Sequence, residues 1–388
     1  MDKKKNKETN KKINKEINVV DFCSDLIRFQ TVSPDNSEAA DYIGDFLLEC
    51  GFGVRICHFI GSYRAKNVFA AFGKPNAKKR LGFLGHVDVV PEGSGWNTDP
   101  FDPVQKNGFL IGRGVADMKG GVAAFCCAVA KFLKQTSCDG YIAVFITGDE
   151  EIGSDEGLQP LLGVTGPLIP NDCLIGEPSS DVKLGDRVYI GHRGSLNVKA
   201  TAKGRQGHSA YPQNYDNALM RLCNFITAVK NYEWKHEDKR FPITNAEPTL
   251  IISDNIAVNV VPGTASVNIN VRFGADYSTQ DLEKIFSELA KAHGVEVKFL
   301  ESGDAYCCDN ENLKSMLSGA INKVTGLTPK FSTEGGTSDG RFMSQFCNVI
   351  EFGLQDATIH QANECAKISD LQALENIYFE FLKTYFAA

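Results

Sequence analysis

The sequence lacks any apolar run long enough to span a bilayer. Its nearest approach, residues 121–133, is too short for a membrane helix and contains Lys131. Residues 1–16 are rich in Lys and Asn, and no apolar core of a signal peptide precedes Ile17. We therefore expect a soluble, cytoplasmic protein whose residues 1–16 form a disordered basic tail, with no membrane partner.

An excess of positive charge is also missing, since the net charge is -7. Proteins that bind nucleic acid in general need a basic surface to neutralise phosphates, so a nucleic-acid partner is not expected. The twelve cysteines include no Cys-x-x-Cys pair, which favours reduced thiols over a disulfide framework or a zinc knuckle. Any metal must therefore be held by histidines and carboxylates.

The length and the order of apolar patterns predict two domains. A chain of 388 residues exceeds the size at which a single core usually keeps growing. Up to residue 194, strand-like apolar runs alternate with helical stretches, which predicts a largely parallel sheet in an α/β domain. Residues 195–301 show alternating strands and two helices, which predicts an inserted two-layer α+β domain. The first domain, predicted to start at residue 17, would then be completed by residues 302–388.

Polar residues with possible ligand chemistry follow several of the apolar runs. His86 ends one run and Asp88 comes two residues later, so both side chains would lie on one face, and Asp88 could hold the second imidazole nitrogen. Asp117 lies between glycines just before an apolar helix, where it could cap the helix or bridge two metals. Taken singly, a satisfied histidine at a strand end and a helix cap are the favoured interpretations of His86 and Asp117.

Two adjacent glutamates, Glu150 and Glu151, follow another apolar strand. Consecutive side chains diverge, so only one of them should bind a given ion, and the other would stay free as a base. An acidic surface loop is the alternative interpretation. Glu177 also ends an apolar strand, and His360 lies in the C-terminal part of the chain.

Together these residues form the order His-x-Asp, Asp, Glu-Glu, Glu and His, which resembles the M20 family of dinuclear metallopeptidases and deacylases. The similarity covers nearly all of the chain after the tail and includes the motifs at residues 96–101, 112–121 and 335–342. It implies a zinc-peptidase-like α/β/α catalytic domain with an inserted, ferredoxin-like lid and dimerisation domain.

The resemblance also implies the cofactors, namely two zinc ions per subunit for which cobalt or manganese could substitute. The implied ligands are His86, Asp117 and Glu177 for one ion and Asp117, Glu151 and His360 for the other. Glu150 would be the general base that takes a proton from the attacking water and later delivers one to the leaving amine.

Within the family, the motifs are most similar to its desuccinylases, whose substrate carries several carboxylates. Arg193 and Arg272 could bind carboxylates in bidentate fashion, while Thr337 and Ser338 would add donors. Without the family context, a surface arginine pair and an ordinary turn would explain these residues. Asp356 departs from the pattern, because desuccinylases usually carry Asn there, and it leaves the fine specificity open.

A segment of the predicted insertion, residues 207–212, is similar to the family's lid segment, in which a histidine reaches the active site of the partner subunit. His208 would then stabilise the oxyanion, with Tyr211 and Asn259 nearby as substrate-binding residues, and the protein would be a homodimer.

Other activities remain open at this point. An acetylornithine deacetylase or an aminoacylase would use the same metals with fewer anion-binding groups, and an aminopeptidase would recognise a free amine. A non-catalytic binding protein on the same fold is the alternative from another class, but it would be expected to lack the base, and Glu150 is present.

Overall fold

The computed structural model describes residues 18–33, 37–59, 65–154 and 156–387, so the predicted tail lies outside the described residues. The chain forms two compact units. The first comprises Met1–Ile190, Cys308–Ser332 and Ser338–Ala388, and the second comprises Gly191–Cys307 and Thr333–Thr337. The second unit extends a few residues beyond the predicted insertion at both ends and also includes a turn that the sequence analysis assigned to the first domain.

An eight-stranded sheet lies at the centre of the first unit. The strands of this unit are β1 (Gly53–His58), β2 (Lys66–Gly73), β3 (Arg80–His86), β4 (Val104–Lys106), β5 (Phe109–Ile111), β6 (Tyr141–Thr147), β7 (Asp172–Ile175), β8 (Arg187–Tyr189), β17 (Lys330–Ser332), β18 (Asn348–Glu351) and β19 (Cys365–Lys367). The order of strands in the sheet is β1-β2-β6-β3-β7-β18-β8-β17. Strands β6, β3, β7 and β18 run parallel, whereas β1 and β2 are antiparallel at one edge. This arrangement confirms the predicted α/β class.

The helices of the first unit are α1 (Val19–Arg28), α2 (Ser37–Glu49), α3 (Gly120–Gln135), α4 (Leu158–Thr165), α7 (Glu311–Thr325), α8 (Gly340–Met343) and α9 (Ile368–Ala387). Helix α3 packs against α1 and α9, and α2 packs on β1 and β2. Every residue of β6 is buried, as the continuous apolar sequence of a central strand requires. Phe83 of β3 stacks on Phe125 of α3 with ring centroids 4.0 Å apart, which ties the strand that ends at His86 to this helix.

Two glycines bring the start of α3 against the end of β7. A Cβ atom on Gly121 would lie 2.2 Å from the carbonyl oxygen of Gly176, so only glycine permits this approach. Glu177 follows Gly176 directly, and Asp117 precedes α3 by three residues. The close backbone contact therefore helps to fix two acidic residues relative to each other.

The second unit is a two-layer α+β structure, as predicted. Its strands are β9 (Gly191–His192), β10 (Gly194–Lys203), β11 (Gly207–His208), β12 (Asn245–Ser253), β13 (Val260–Val261), β14 (Thr264–Phe273), β15 (Val295–Gly303) and β16 (Tyr306–Cys307), and its helices are α5 (Ala218–Lys230) and α6 (Thr279–His293). The main antiparallel sheet has the order β12-β14-β10-β15. Every second residue of β14 is buried, and this face packs against both helices in one apolar core.

Among the described residues, no helix is long and apolar enough to cross a membrane.

Candidate metal centre

Four segments that carry predicted ligands meet at the carboxyl ends of the parallel strands in the first unit. Strand β3 ends at His86, Glu151 follows β6, and Glu177 follows β7. Because these three strands are parallel and adjacent, their carboxyl ends lie side by side, where ligand sites of such sheets usually form. The turn before α3 adds Asp117.

Two groups of possible ligand atoms share Asp117. In the first group, His86 Nε2 lies 3.2 Å from Asp117 Oδ1 and 3.5 Å from Glu177 Oε1. In the second group, His360 Nε2 lies 3.2 Å from Asp117 Oδ2 and 3.1 Å from Glu151 Oε1. The ligand atoms of each group all lie within 4.8 Å of one another. The structure therefore brings together both predicted sets, with one aspartate oxygen directed to each.

The donor set suits two divalent cations of the zinc type. It combines two imidazole nitrogens with three carboxylates, and mixed nitrogen and oxygen ligands are typical of zinc. Burial raises the pKa of Glu177, and neighbouring carboxylates raise it further against the opposing effect of His86. Like charges held this close in a buried site repel one another, and bound cations would relieve that repulsion.

The histidines respond to the same concentration of negative charge. Burial alone would lower the pKa of His86, but Glu177, Asp117 and Asp88 outweigh burial and raise it well above its usual value. Hydrogen bonds to Asp117 and Glu151 raise the pKa of His360 to about 10. Without a metal, the carboxylates around each imidazole therefore favour its protonated form.

Asp88 contacts His86 in a different way from the prediction. The Nδ1 atom of His86 lies 2.9 Å from the backbone carbonyl oxygen of Asp88 and 3.6 Å from its carboxylate. The fully buried carboxylate accepts hydrogen bonds from the Ser33 hydroxyl at 2.5 Å and from the backbone N–H groups of Glu150 and Glu151 at 3.2 and 3.1 Å. Asp88 therefore joins the histidine strand to the glutamate turn.

Glu150 lies in the same turn as Glu151 but, among the described residues, belongs to neither group of possible ligands. Burial raises its pKa well above the usual value, while His86 opposes this effect and Asp339 adds to it. A carboxyl group in this environment can exchange protons nearer to neutral pH than an exposed glutamate can.

Asp339 is a further part of the site that the sequence analysis did not single out. Its buried carboxylate accepts hydrogen bonds from Ser154 Oγ at 2.5 Å and from Thr147 Oγ1 at 3.1 Å, so it holds both ends of the turn that carries Glu150. Its only signal in the sequence is its position inside the motif at residues 335–342, in which Thr337 and Ser338 are the predicted site residues.

The predicted substrate-binding residues fall in both units. In the second unit, Arg193 donates to Asn245 at 2.9 Å, while Arg272 donates to Asn270 at 3.0 Å and to the Thr337 hydroxyl at 2.9 Å. Ser338 belongs to the first unit, where its buried hydroxyl donates to Glu351 at 2.5 Å. That hydroxyl therefore already has an internal acceptor, and a role in substrate binding stays a prediction.

The lid segment forms a small structure of its own in the second unit. His208 lies on β11, which pairs with β13, and the ring of Tyr211 lies 5.5 Å from the ring of His208. The backbone N–H of Ser209 donates to the carbonyl of Asn259 at 2.9 Å. The three predicted residues, His208, Tyr211 and Asn259, are thus held in one neighbourhood.

Asp356, the departure from the family pattern, forms an ion pair with Arg187 in the first unit. The guanidinium also lies over the ring of Tyr189, 4.9 Å from its centroid. The additional negative charge is therefore balanced within the protein, which reduces its expected effect on substrate specificity.

A largely parallel α/β sheet with this set of histidines and carboxylates at its strand ends is typical of a metal-dependent hydrolase. Residues 82–384 match the peptidase family M20/M25/M40, and the chain belongs to this family. Curated relatives that are called succinyl-diaminopimelate desuccinylase include a protein from Cereibacter sphaeroides, 36% identical over 94% of this chain and 98% of its own length. Another, from Rickettsia bellii, is 36% identical over 93% of this chain and 95% of its own.

Solved structures support the fold. An M20 family metallo-carboxypeptidase from Sulfolobus solfataricus superimposes with a TM-score of 0.80 at 18% identity, covering 95% of this chain and 99% of the other. A tripeptidase from Staphylococcus aureus gives a TM-score of 0.78 at 20% identity and covers 96% and 99%.

We expect zinc affinity to rise with pH. The pKa of His360 is raised to about 10, so its imidazole keeps a proton across neutral pH, and a metal must displace that proton. Each proton released makes affinity rise by up to about tenfold per pH unit. Titration of the metal-free protein with zinc between about pH 6 and pH 9 measures this effect.

The exposed His58 provides a control, because His58→Ala should keep the wild-type profile while His360→Ala should lose one bound ion. An affinity independent of pH would contradict the expectation.

Proposed function

We propose that this protein hydrolyses the amide bond of N-succinyl-L,L-diaminopimelate and releases succinate and L,L-diaminopimelate, a step in the bacterial route to lysine and cell-wall precursors. The observation that carries the proposal is the pair of ligand groups that share Asp117, together with Glu150, which belongs to neither group although it adjoins Glu151. The reaction and the substrate are those named for the desuccinylase relatives, which are similar along almost the whole chain.

In this proposal, two zinc ions bind to each subunit, and cobalt can replace them. One ion is held by His86, Asp117 and Glu177, and the other by Asp117, Glu151 and His360, in accordance with the two groups of ligand atoms. When bound, the ions supply Lewis acidity that lowers the pKa of water and polarises the amide carbonyl. Asp88 and Asp339 keep the turn with Glu150 and Glu151 in place.

Glu150 is the general base. It takes a proton from the water that attacks the amide carbon and then delivers a proton to the leaving amine. Its raised pKa favours this exchange, because the carboxyl group must both accept and return a proton near neutral pH. Both protons of the water end on the leaving nitrogen, so the products are a carboxylate and an ammonium group and the protons balance over one turnover.

Replacement of Glu150 by Gln should leave zinc binding intact and lower kcat by roughly 10²–10⁴-fold or more, because the amide cannot accept the proton. The matched control is Glu151→Gln, which should instead weaken zinc binding since Glu151 lies 3.1 Å from His360. Zinc content by elemental analysis and steady-state kinetics on the same preparations distinguish the two glutamates. Loss of zinc from Glu150→Gln, with zinc retained in Glu151→Gln, would reverse their roles.

Recognition of a substrate with several carboxylates requires fixed cations. We assign this role to Arg193 and Arg272, whose guanidinium groups are oriented by amide and hydroxyl oxygens in the second unit. The turn that follows β17 contributes the Thr337 hydroxyl and, because the Ser338 hydroxyl donates to Glu351, the backbone N–H of Ser338. Arginine suits such sites because its planar group can donate two parallel hydrogen bonds to one carboxylate.

Substitution of Arg193 or Arg272 by Ala should impair use of the succinylated substrate more than that of an N-acetyl analogue. Loss of a charge-assisted hydrogen bond costs about 1.5–3 kcal/mol, which corresponds to roughly ten- to a hundredfold in kcat/KM. Lysine at either position should rescue only part of the loss.

Arg221, which pairs with Asp216 on the same unit, provides the control, because Arg221→Ala should affect both substrates little. Kinetics of the wild-type protein and these variants on both acyl substrates also decide between a desuccinylase and an acetylornithine deacetylase or aminoacylase. Equal losses on both substrates would assign the two arginines to the fold, and a wild-type preference for the acetyl substrate would refute the desuccinylase assignment.

We further propose a homodimer that forms through the second unit. Strand β12 is an edge strand of the main sheet, and Leu250, Ile251 and Ile252 on it are each about half exposed. Met220 of the neighbouring helix α5 is also exposed. An apolar edge strand of this kind is suited to pairing with another copy of itself. In the dimer, His208 stabilises the oxyanion at the active site of the partner subunit, with Tyr211 and Asn259 beside it.

Inactive His208→Ala protein and inactive Glu150→Ala protein should regain activity when they are mixed. A hybrid dimer would contain one site with both an intact Glu150 and an intact His208, whereas each parent dimer contains none. Activity of the mixture, with subunit exchange measured by native mass spectrometry, is the readout. If exchange is complete and activity does not return, His208 does not act across the interface.

All twelve cysteines are free thiols, which supports a reducing compartment, and we propose that the protein acts in the cytoplasm.

A further inference from the structure

Glu364 is a buried glutamate that the proposed chemistry does not use. It lies four residues after His360 and directly before β19, and only 1% of it is exposed. Burial of a carboxylate is unfavourable unless its oxygens find donors. The donors that Glu364 finds all come from the turn that carries Asp117.

Both carboxylate oxygens are used. Oε1 accepts from the backbone N–H groups of Ala116 at 2.8 Å and Asp117 at 3.2 Å. Oε2 accepts from the backbone N–H of Gly114 at 2.8 Å and from the guanidinium of Arg113 at 2.9 Å. A single side chain thus contacts four consecutive or near-consecutive residues that end at the shared aspartate.

The same contacts reach the segment that carries His360. The backbone carbonyl of Glu364 accepts from Gly112 N–H at 3.0 Å, and Arg113 also donates to the carbonyl of Gln361 at 3.3 Å. Glu364 therefore connects the turn of Asp117 to the segment of His360, whose imidazole lies 3.2 Å from Asp117. These segments are about 250 residues apart in the chain, and local structure alone cannot set their distance.

We propose that Glu364 is a positioning residue for the metal centre, which fixes the carboxylate of Asp117 relative to the imidazole of His360. This inference rests on the proposed role of both residues as metal ligands. Glu364 itself contacts neither substrate nor metal and acts through the backbone of the Asp117 turn.

Glutamine at this position tests the inference closely because it has nearly the same shape. Each oxygen of Glu364 accepts from two donors. A glutamine amide has one accepting oxygen and one donating NH₂ group. Whichever way the amide is oriented, its NH₂ group meets two donors that it cannot satisfy, so the turn must shift.

The matched control is Asp172→Asn. Asp172 is also a buried carboxylate of the first unit and accepts from Tyr385 at 2.6 Å, Asn348 at 2.8 Å and Asn310 at 3.0 Å. It starts strand β7, at the end opposite to Glu177. An asparagine can keep these partners, because its oxygen still accepts from Asn348 and Asn310 while its NH₂ group donates to the Tyr385 hydroxyl, whose own proton goes to the carbonyl oxygen of Arg80. The variant therefore changes a buried carboxylate to an amide without disturbing the ligands.

The experiment compares wild-type, Glu364→Gln, Glu364→Asp and Asp172→Asn proteins in full length. Circular dichroism and thermal unfolding of the metal-free proteins report on the fold, competition with a chelator reports zinc affinity, and visible absorption of the cobalt-loaded proteins reports ligand geometry. We expect Glu364→Gln to bind zinc roughly 10–100-fold more weakly, the usual effect of losing a group that orients a ligand, and to change the cobalt spectrum. Asp172→Asn should unfold close to the wild-type temperature and keep wild-type zinc affinity and the wild-type cobalt spectrum.

Wild-type zinc affinity and an unchanged cobalt spectrum in Glu364→Gln would overturn the inference, and so would a loss no larger than that of Asp172→Asn. If Glu364→Gln does not fold, Glu364→Asp decides, because it keeps the charge but withdraws it from the turn. Weaker zinc binding by this variant supports the positioning role, and wild-type binding overturns it. These readouts need no substrate, so a protein that binds zinc normally but hydrolyses no succinylated substrate would refute the proposed function alone.

Discussion

The first unit buries several carboxylates at the carboxyl ends of its parallel strands. The need to replace the water that these groups lose governs how the surrounding segments pack. A buried carboxylate is stable only when donors or cations replace its hydration. Asp88, Asp339 and Glu364 find hydroxyl, guanidinium or backbone N–H donors on neighbouring segments. Asp117 and Glu177 instead face histidines, in an arrangement that cations would complete. The first three residues make internal contacts, and the others are the candidates for metal binding.

Asp88, Asp339 and Glu364 stabilise the site in the same way. Each accepts hydrogen bonds from a turn that carries a proposed ligand or the proposed base, and each belongs to a different part of the chain. Asp88 holds the N–H groups of Glu150 and Glu151, Asp339 holds the ends of the same turn, and Glu364 holds the turn of Asp117. Rigid support of this kind is what a two-metal site requires, because small displacements of a ligand weaken both binding and catalysis.

The second unit has a different physical character. Its sheet has one face packed on two helices, and its edge strand β12 exposes apolar side chains. Of the residues proposed to recognise the substrate, Arg193 and Arg272 donate to amide and hydroxyl oxygens of this unit, and His208 lies on a short two-stranded ladder. The proposed metal ligands and most of the proposed substrate-binding residues thus lie in units with separate cores, and substitutions in one need not unfold the other.

Much of this organisation is determined by the sequence itself. Hydrophobic periodicity distinguishes fully buried strands such as β6 from the alternating strand β14, and this difference separates the α/β unit from the α+β unit. Since parallel strands end at the same edge of a sheet, residues that follow such strands, such as His86, Glu151 and Glu177, could be assigned to one site.

Residue spacing also indicated that only one of Glu150 and Glu151 should bind a given ion. What the spacing could not decide is which of the two lies beside His360. Only the tertiary structure places Glu151 there, and only it assigns the donors of Asp88, Asp339 and Glu364. Those donors are mostly backbone N–H groups and hydroxyls far away in the chain. Every residue except proline carries a backbone N–H, so no sequence pattern identifies the few that are brought against a buried carboxylate when the segments pack.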